Sequence, residues 1–458
     1  MTRSDQYNWY GDIQCYDGTP ERPSTEDDVK AILGDAERYP SPVRPMGSRH
    51  SVTACMAARA PGSPERWGTA IDMTRLTGPI RVDQQAGTVT VPAGRIFIDV
   101  ARELRDEYGL QFRVNTELGT LTMGAAACGG TKDSSFPGEF GQVCSDVVAL
   151  RLATPDGKVR ELSAGDPDFD AVRGSYGLFG VVTEVTFRVV KHEYINIEHK
   201  EISLEDFEAS SRRWLDGRTA VFLYLFPYAG RNGRIVAELR RKAGSGSGDE
   251  RSTRLAVRNF VWREGLPASA HAADQMPNEK LRALQLESTE WFLRKVIDHG
   301  LDLRRVSPVD QIVDFEKGGK KFAFSMWAFG AQGFAGILSE YFDFCRRQDY
   351  RTSLPHVSYH IAKDRSSLLS YSWDGEVWTL DPVSTGTEPG WHEFLHKFND
   401  RCSGWGGVPL FNQTPHLEAR HLRGFGDRLA QFEVARRRFD PGNRMLNAYF
   451  AKLLAVSS

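Results

Sequence analysis

The sequence predicts an α+β protein in two parts, and three observations point to this fold class. Short strands and helices alternate through the first part, and two glycine-rich stretches lie between them. From about Tyr194 the strands become longer, and the pattern is that of an antiparallel sheet with helices on one side. We therefore expect one domain at residues 1–192, completed by the C-terminal stretch 425–458, and a second domain at residues 193–424.

Hydrophobic periodicity and turn residues define the elements of the first part. Thr88 to Val91 alternates as a strand does, and Pro92 closes it. Ile98 to Tyr108 repeats its apolar residues at helical spacing, and Gly109 follows as a C-terminal cap. We further expect a helix at Asp27–Glu37, a helix beginning at Asp168–Val172, and strands at Val43–Met46, Ala70–Met73, Ile80–Val82, Phe112–Val114, Val143–Ala153, Val159–Leu162 and Val181–Val190.

The second part contains longer strands and a long helical region. Phe322 to Phe329 is rich in aromatic residues and predicts one continuous strand, whereas Lys242 to Gly248 predicts a flexible surface linker or loop. The apolar tail after Asp440 has to dock, and its natural place is on the first domain. The other expected elements are strands at 195–202, Ala220–Phe226, His356–Ile361 and Val377–Leu380, a region of mostly helix and loop at 250–320, and helices at 334–348, 391–401 and Phe425–Arg438.

Composition limits the classes of function. The 458 residues carry a formal net charge of −2 and give a pI near 6.6, which argues against nonspecific binding to nucleic acid or to an anionic membrane. No run reaches the roughly 18 apolar residues that span a bilayer, and the polar N-terminus lacks the apolar core of a signal peptide. The six cysteines are scattered without metal-ligand spacing. We expect a cytoplasmic monomer or homodimer that binds no metal, no nucleic acid and no membrane.

The first stretch that indicates a ligand runs from Pro42 to Ser51. Gly47 lets the backbone turn sharply and approach a ligand closely. Ser48, Arg49 and His50 then offer amides, a hydroxyl, a cation and an imidazole, and such a loop can hold a pyrophosphate. The alternative interpretation is a plain loop, which a glycine-containing turn more often forms.

A second stretch, Leu118 to Asp133, is rich in glycine and alanine and has almost no side-chain bulk. Runs of such small residues let backbone amides approach phosphates and a flat ring. A tightly packed helix start or a flexible loop are the alternatives, and the apolar Leu121 and Met123 within the run argue against flexibility. Since no G-x-G-x-x-G opens a helix after a strand, an NAD-type Rossmann domain is not supported.

Together with two further motifs, these stretches resemble a known family. The motifs are D-F-D-A-V-R-G-S-Y-G-L-F-G-V-V-T-E-V-T-F, which begins at Asp168, and D-P-G-N-R-M-L-N-A-Y-F, which begins at Asp440. The four resemble the vanillyl-alcohol oxidase, or PCMH-type FAD-binding, flavoprotein superfamily, nearest its aldonolactone and alditol oxidase branch. Over 193–424 the resemblance is thin, apart from W-G-G-V-P-L-F-N-Q at Trp405. It implies a PCMH-type two-part FAD-binding domain beside a substrate-binding domain.

The resemblance also implies contacts to FAD. His50 lies where that branch carries a histidine bonded covalently to the flavin, and Thr116 lies near the position of oxygen access. The other implied contacts are Pro45, Met46, Gly47, Ser48, Arg49 and Ser51 in the first loop, Leu118, Gly119, Thr122, Gly124, Ala125, Gly129, Gly130 and Thr131 in the second, Val181 or Val182 at the adenine, and Asn447 and Tyr449 in the tail.

The substrate half departs from that branch. Related members read G-T-H where this chain ends the triplet with Lys132, and the branch has a lysine where this chain has Gln413. Its Glu-x-Arg pair is absent from L-P-H-V-S-Y-H-I, the corresponding strand at 354–361. Strand alternation would place His356 and His360 on one face, which is the best-placed pair if that face covers the flavin. The candidate bases are Lys132, His356, Tyr359, His360 and His416, and for each the alternative is an ordinary packing or surface residue.

Three functions compete at this point. The first is an FAD-dependent oxidase that transfers a hydride from an alcohol or sugar-like small molecule to covalently bound FAD, with O2 as the final acceptor. The second is an FAD-dependent tailoring oxidase or dehydrogenase that acts on a natural-product intermediate. The third is a binding or structural protein whose glycine loops are only turns. The colour of the purified protein separates the third from the others.

Overall fold

The computed structural model describes residues 6–63, 65–139, 141–246, 253–276, 278–312 and 322–454. Its first part is a mixed arrangement of short helices and strands, and its second part is built around one long sheet. The strands of the first part are β1 (Val43–Met46), β2 (Thr69–Asp72), β3 (Arg81–Asp83), β4 (Thr88–Pro92), β5 (Leu110–Phe112), β6 (Val147–Ala153), β7 (Val159–Ser163) and β8 (Val181–Lys191), and its helices are α1 (Glu26–Gly34), α2 (Phe97–Tyr108), α3 (Met123–Cys128) and α4 (Phe169–Val172).

The first part contains an antiparallel sheet in the order β3-β4-β8-β6-β7, with β5 also paired to β8. Strand β8 is central because its 11 residues are long enough to pair with β4 on one side and with β6 and β5 on the other. A separate parallel pair, β1 and β2, carries the first glycine loop at the end of β1. Helix α2 ends at Gly109, whose φ of 62° is in the left-handed region, as its capping role requires.

The second part forms a longer sheet and a cluster of helices. Its strands are β9 (Tyr194–Ile202), β10 (Ala220–Phe226), β11 (Arg234–Gly244), β12 (Leu303–Val306), β13 (Ala323–Phe324), β14 (Trp327–Gly330), β15 (His356–Ile361), β16 (Val377–Leu380), β17 (Val383–Ser384) and β18 (Val408–Pro409). Its helices are α5 (Phe207–Asp216), α6 (Thr253–Phe260), α7 (Leu266–Asp274), α8 (Glu279–Gly300), α9 (Phe334–Arg346) and α10 (Trp391–Gly404), and α11 (Arg428–Phe439) and α12 (Ala448–Leu453) follow in the tail.

Eight strands of the described residues pair antiparallel in the order β12-β9-β11-β10-β15-β16-β14-β18. Side chains of neighbouring strands that are in register share a face of this sheet. Phe222 of β10 lies opposite Tyr359 of β15, and Tyr224 lies opposite Val357, so these four side chains share one face. The other face is buried under helices and forms a large part of the core.

Two expected elements of the second part are wrong. The strand predicted at Phe322–Phe329 is broken, because β13 pairs with β17 while β14 pairs with β16 and β18. The predicted linker at Lys242–Gly248 begins inside β11, where Lys242 pairs with Ile195 of β9. The rest of that segment, from residue 247 on, lies outside the described residues.

The C-terminal tail docks on the first part, as its apolar composition predicts. The Arg444 guanidinium donates hydrogen bonds to the carbonyl oxygens of Ile32 and Leu33, both at 2.9 Å. Phe450 and Leu453 are buried in the same core as the first sheet. The division into one domain at 1–192 with 425–458 and a second domain at 193–424 remains a prediction. The first sheet lies within residues 1–192 and the second sheet within residues 193–424. Among the described residues, no helix is long and apolar enough to cross a membrane.

Candidate active site

A cavity of about 370 Å³ lies where the two parts of the chain meet, and both parts line it. The first part contributes the end of β1 and its loop, the stretch from Thr116 to Lys132, and positions between Tyr176 and Val182. The second part contributes residues of β10 and β15, of the helical segment that begins with α6, and of the turn after β18. Concave sites between domains are the usual places for small-molecule ligands.

The two glycine-rich loops touch each other at Gly47. A Cβ atom on Gly47 would lie 2.2 Å from Oγ1 of Thr122, so no side chain fits there. Thr122 is the N-cap of α3, and its Oγ1 lies 3.4 Å from the amide nitrogen of Ala125. A Cβ atom on Gly124 would lie 3.0 Å from Cβ of Ala93. Both glycines line the cavity, and the close approach they allow brings the two stretches into one wall.

Arg44, just before the first loop, ties this wall together. Its buried guanidinium donates hydrogen bonds to the carbonyl oxygens of Cys55 and Met445, both at 2.8 Å, and of Tyr176 at 2.6 Å. Burial lowers the pKa of Arg44 to about 10, and the group is still a cation at neutral pH. Because Arg44 lines the cavity, it adds a fixed positive charge that favours an anionic ligand.

His50 is the imidazole that the first loop brings to the cavity. Its Nε2 lies 2.9 Å from Oγ1 of Thr120, and its ring centroid lies 5.1 Å from that of Trp9. Arg49 precedes it with a φ of 63°, a left-handed conformation that residues other than glycine rarely adopt. Such strain concentrates at functional sites, and it supports a binding role for this loop.

Most residues that were expected at the cofactor line the cavity. They come from both glycine loops and from the start of β8, which agrees with one ligand lying along the first part. They are Pro45, Met46, Gly47, Ser48, Arg49, His50, Ser51, Thr116, Leu118, Thr122, Gly124, Ala125, Gly129, Thr131 and Val182.

The other expected cofactor residues lie behind the wall. The Asn447 side-chain amide donates hydrogen bonds to the carbonyl oxygens of Ala54, Cys55 and Ala57, and so holds the segment that follows the first loop. Five of the expected residues do not line the cavity, and the structure gives them positioning or packing roles instead. They are Gly119, Gly130, Val181, Asn447 and Tyr449.

Among the candidate bases, Lys132 and Tyr359 reach the cavity and meet there. Nζ of Lys132 lies 2.9 Å from Oδ2 of Asp381 and 4.3 Å from the centre of the Tyr359 ring. The Tyr359 hydroxyl donates a hydrogen bond of 2.6 Å to Oε2 of Glu117. All four side chains line the cavity, so two pairs of ionisable groups stand side by side in its wall.

The surroundings shift the pKa values of these groups. Burial raises the pKa of Glu117, and the nearby charge of Asp133 raises it further. Burial also raises the pKa of Asp381, although the Lys132 cation opposes this effect. Burial likewise raises the pKa of the Tyr359 hydroxyl well above its usual value. A carboxylate whose pKa is raised towards neutrality is a better general base than an exposed one.

His356 and His360 lie on the opposite face of β15, so the condition that would make them the best-placed pair of bases is not met. His356 lies opposite Leu225 of β10, on the face that the helices bury. Its Nδ1 is 2.6 Å from the Tyr341 hydroxyl, and burial lowers its pKa to about 3. His360 is fully buried against the ring of Trp378. The alternation along the strand was predicted correctly, but the face that meets the cavity is the one with Tyr359.

His416 is also outside the cavity lining. Its ring stacks on His396 with a centroid distance of 4.4 Å, and its Nε2 lies 3.2 Å from Nδ1 of His392. Burial and the two neighbouring imidazoles lower its pKa to about 4. The structure therefore places His416 in a histidine cluster and not at the candidate active site.

Sequence reasoning missed Glu117, Asp381, Arg258 and Trp262, all of which line the cavity. Glu117 directly precedes the second glycine-rich stretch, and an ionisable residue at that position was a usable signal. Asp381 follows β16 and Trp262 lies in the helical region, and neither has a local pattern that sets it apart. Only the fold brings them to the site.

The lining residues fit ligands with both flat and polar parts, such as FAD together with a substrate. Buried polar atoms normally have hydrogen-bond partners. Several buried atoms of lining residues have none within the described part of the chain. These atoms are Nε of Arg44, Oδ1 of Asp381, Oδ1 of Asn412, Nε1 of Trp262 and both side-chain amide atoms of Gln311.

Known proteins resemble this chain in sequence and in fold. Residues 21–163 match the family model described as an FAD binding domain. The chain is 24% identical over 450 residues, 98% of either chain, to an L-gulono-1,4-lactone dehydrogenase of Mycobacterium tuberculosis. It is 28% identical over 187 residues, 40% of either chain, to an L-gulonolactone oxidase of Mus musculus. A cholesterol oxidase from Brevibacterium sterolicum has a similar fold, with a TM-score of 0.72 at 14% identity, covering 98% of this chain and 96% of that chain.

Proposed function

Because the chain belongs to the PCMH-type FAD-binding oxidoreductases and resembles their aldonolactone oxidase branch, we propose that it oxidises a CH–OH group of an alcohol or sugar-like substrate. The observation that carries this proposal is the single cavity that joins both glycine loops to the pairs Lys132–Asp381 and Tyr359–Glu117. FAD, when bound, supplies the hydride acceptor. The protein supplies orientation and the proton acceptor.

Tyr359 and Glu117 are the proposed proton acceptors. As the substrate O–H bond breaks, its proton passes to the Tyr359 oxygen, and the Tyr359 proton passes along the 2.6 Å hydrogen bond to Oε2 of Glu117. A raised pKa makes the Glu117 carboxylate able to hold that proton. Lys132, which Asp381 orients at 2.9 Å, donates a hydrogen bond to the substrate oxygen and keeps it in reach of Tyr359.

We further propose that His50 carries a covalent link to FAD. Its place at the end of the first loop, in the cavity lining and beside Thr120, supports this assignment. The remaining candidate contacts of the two loops, together with Arg44, hold the phosphates. That O2 is the final acceptor, that the protein is a monomer or homodimer and that it is cytoplasmic also remain predictions.

The test is acid precipitation of the purified, yellow protein. We expect the wild-type pellet and the pellet of a control variant, His392→Ala, to stay yellow, because His392 is outside the cavity lining. In His50→Ala the flavin should be released into the supernatant. Flavin that stays in the His50→Ala pellet would disprove the link, and a colourless wild-type protein would disprove FAD binding itself.

The electron acceptor is tested by the product of reoxidation. An oxidase releases one H2O2 for each substrate molecule oxidised in air. If turnover requires an artificial dye and yields no H2O2, the protein is a dehydrogenase and the proposed role of O2 is wrong.

A further inference from the structure

The second part of the chain gives the cavity an aromatic wall. The rings of Tyr224 and Trp262 are stacked, with a centroid distance of 4.9 Å and an interplanar angle of 8°. Phe222 packs edge-on against both Tyr224 and Tyr359, each at 4.7 Å. All four rings line the cavity, and Phe222, Tyr224 and Tyr359 project from one face of the sheet. The wall is therefore a contiguous cluster of aromatic rings, with Tyr359, a proposed proton acceptor, at one end.

A π-helical turn places Trp262 against this wall. The turn, Val261–Gly265, joins α6 to α7, and π-helical turns occur frequently at functional sites. Arg258, Trp262 and Leu266, which recur every four residues along this segment, all line the cavity. The helical segment thus closes the aromatic wall with one ring, one apolar side chain and one cation.

The ionised side chains of this region have protein partners. Lys132 pairs with Asp381 at 2.9 Å, and Arg258 lies 4.0 Å from the buried Glu238 carboxylate. Glu117 accepts the hydrogen bond from the Tyr359 hydroxyl. Because these charges are already compensated inside the protein, the region suits an uncharged substrate.

Two buried atoms mark where the polar groups of such a substrate would bind. Oδ1 of Asp381, a hydrogen-bond acceptor, has no partner within the described residues, and it lies in the pair beside Tyr359. Nε1 of Trp262, a donor, also has none there, although Trp262 lines the cavity. A ligand that uses both places carries a hydroxyl beside the Lys132–Asp381 pair and a hydrogen-bond acceptor at its other end.

We propose that the substrate is a neutral alcohol with a flat, apolar ring body that packs on the wall formed by Phe222, Tyr224, Trp262 and Tyr359. This inference rests on the proposed function and narrows its substrate class. A polyol or sugar lactone would leave several hydroxyls against aromatic rings without partners, which is costly. A fused-ring alcohol with an acceptor group at its far end packs on the wall, places its hydroxyl between Lys132 and Tyr359 and accepts a hydrogen bond from Trp262.

The experiment compares three alcohols on the flavin-loaded enzyme: 2-naphthalenemethanol, 6-methoxy-2-naphthalenemethanol and L-gulono-1,4-lactone. We expect kcat/KM to be at least tenfold higher for both naphthalene alcohols than for the lactone, and higher still with the methoxy group. In parallel, equilibrium dialysis measures binding of the product 2-naphthaldehyde, a readout that needs neither turnover nor flavin.

Variants of one residue separate stacking from hydrogen bonding. Trp262→Ala should weaken 2-naphthaldehyde binding at least tenfold, whereas Trp262→Phe should keep most of that binding and remove the advantage of the methoxy group. The matched control is Trp291→Ala, because Trp291 of α8 is 58% exposed and does not line the cavity. The control should bind 2-naphthaldehyde as the wild type does.

Two results would overturn the substrate class: a higher kcat/KM for the lactone, or unchanged 2-naphthaldehyde binding in Trp262→Ala. Failure of the proposed reaction looks different. If 2-naphthaldehyde binds and Trp262→Ala weakens it, but no alcohol reduces the flavin, the aromatic site is supported and the assigned oxidation is wrong.

Discussion

At the scale of single residues, the site depends on ionisable groups that burial has moved from their usual pKa values. Glu117 and Asp381 are carboxyl groups whose pKa is raised, and His356 is an imidazole whose pKa is lowered. In each case desolvation, which disfavours the charged form, is the main cause. The two acids line the cavity, whereas the histidine lies in the core. The same physical effect therefore acts on the proposed catalytic groups at one place and only on stability at the other.

Replacement of Glu117 by glutamine tests the proton acceptor. Glutamine can still accept the hydrogen bond from Tyr359 but cannot take a proton, so we expect flavin reduction to slow about 10²- to 10⁴-fold with unchanged flavin content. In the wild type the rate should fall as the pH drops through the raised pKa of Glu117, since the carboxylate must be ionised to act. The acidic limb should be absent in Glu117→Gln.

The measurement is stopped-flow flavin reduction as a function of pH. Glu208→Gln is the control, because Glu208 is an exposed residue of α5. A Glu117→Gln enzyme with wild-type rates and an intact acidic limb would show that the base lies elsewhere.

His356 makes the free energy of unfolding depend on pH. Its pKa is about 3 in the folded protein and about 6.5 when unfolded. Between these values the unfolded chain binds the extra proton, so stability falls as the pH is lowered below 6.5, by about 1.4 kcal/mol per pH unit. Urea unfolding at several pH values should show that His356→Gln, which does not titrate, lacks this part of the slope. An unchanged slope would mean that His356 is protonated alike in both states.

At the scale of elements, periodicity predicted most strands and helices closely. The strands expected at His356–Ile361 and Val377–Leu380 have those bounds in the structure, and the helix expected at Ile98–Tyr108 begins one residue earlier. The segment Phe322–Phe329 failed because its aromatic residues supply two short strands that pair with different partners. Periodicity reports which residues share a face but not which strands will pair.

We expect Gly47→Ala to break the contact between the two glycine loops. Its new Cβ atom would meet Oγ1 of Thr122 at 2.2 Å, so the loops must separate and the cofactor wall must change shape. We expect the purified variant to retain less than a tenth of the wild-type flavin content. Gly336→Ala is the control, because a Cβ atom there has no neighbour within 4 Å.

The control variant Gly336→Ala places its new alanine inside α9. It should leave the flavin content unchanged and stabilise the protein by at most about 1 kcal/mol, because alanine has a higher helix propensity than glycine. The measurement is the ratio of flavin to protein absorbance together with thermal unfolding. Full flavin content in Gly47→Ala would show that this contact does not shape the cofactor site.

At the scale of the whole molecule, the C-terminal tail packs behind the loops of the first part. Arg44 binds the carbonyl oxygen of Met445 in the tail, and Asn447 binds carbonyl oxygens of the segment after the first loop. The tail thus holds the first glycine loop from behind, about 400 residues away in sequence. Binding of the cofactor and stability of the tail should therefore be coupled.

Asn447→Ala tests this coupling. The variant loses the N-cap of α12 and leaves carbonyl oxygens of Ala54, Cys55 and Ala57 without their donor. We expect a loss of about 2 to 4 kcal/mol in the free energy of unfolding, from the cap and the unsatisfied acceptors together. Non-covalently held flavin, measured in a His50→Ala background, should also dissociate faster.

The matched control is Asn232→Ala, since Asn232 is an exposed residue whose amide binds Glu205 on the surface. It should change stability by less than about 0.5 kcal/mol. Equal stability of the Asn447 and Asn232 variants would show that the tail does not support the loop.

The sequence by itself determined the α+β class, the strands and helices with clear periodicity, and the glycine loops with His50, whose resemblance to a known family implies a flavin nucleotide. These features are local, because backbone freedom and hydrophobic repeats act within about 15 residues. Only the tertiary structure decided that β15 turns Tyr359 and not His356 to the cavity. It also joined Lys132 to Asp381 and Tyr359 to Glu117, pairs that are 249 and 242 positions apart. Contacts at that separation depend on how whole sheets and helices pack, and no local pattern records them.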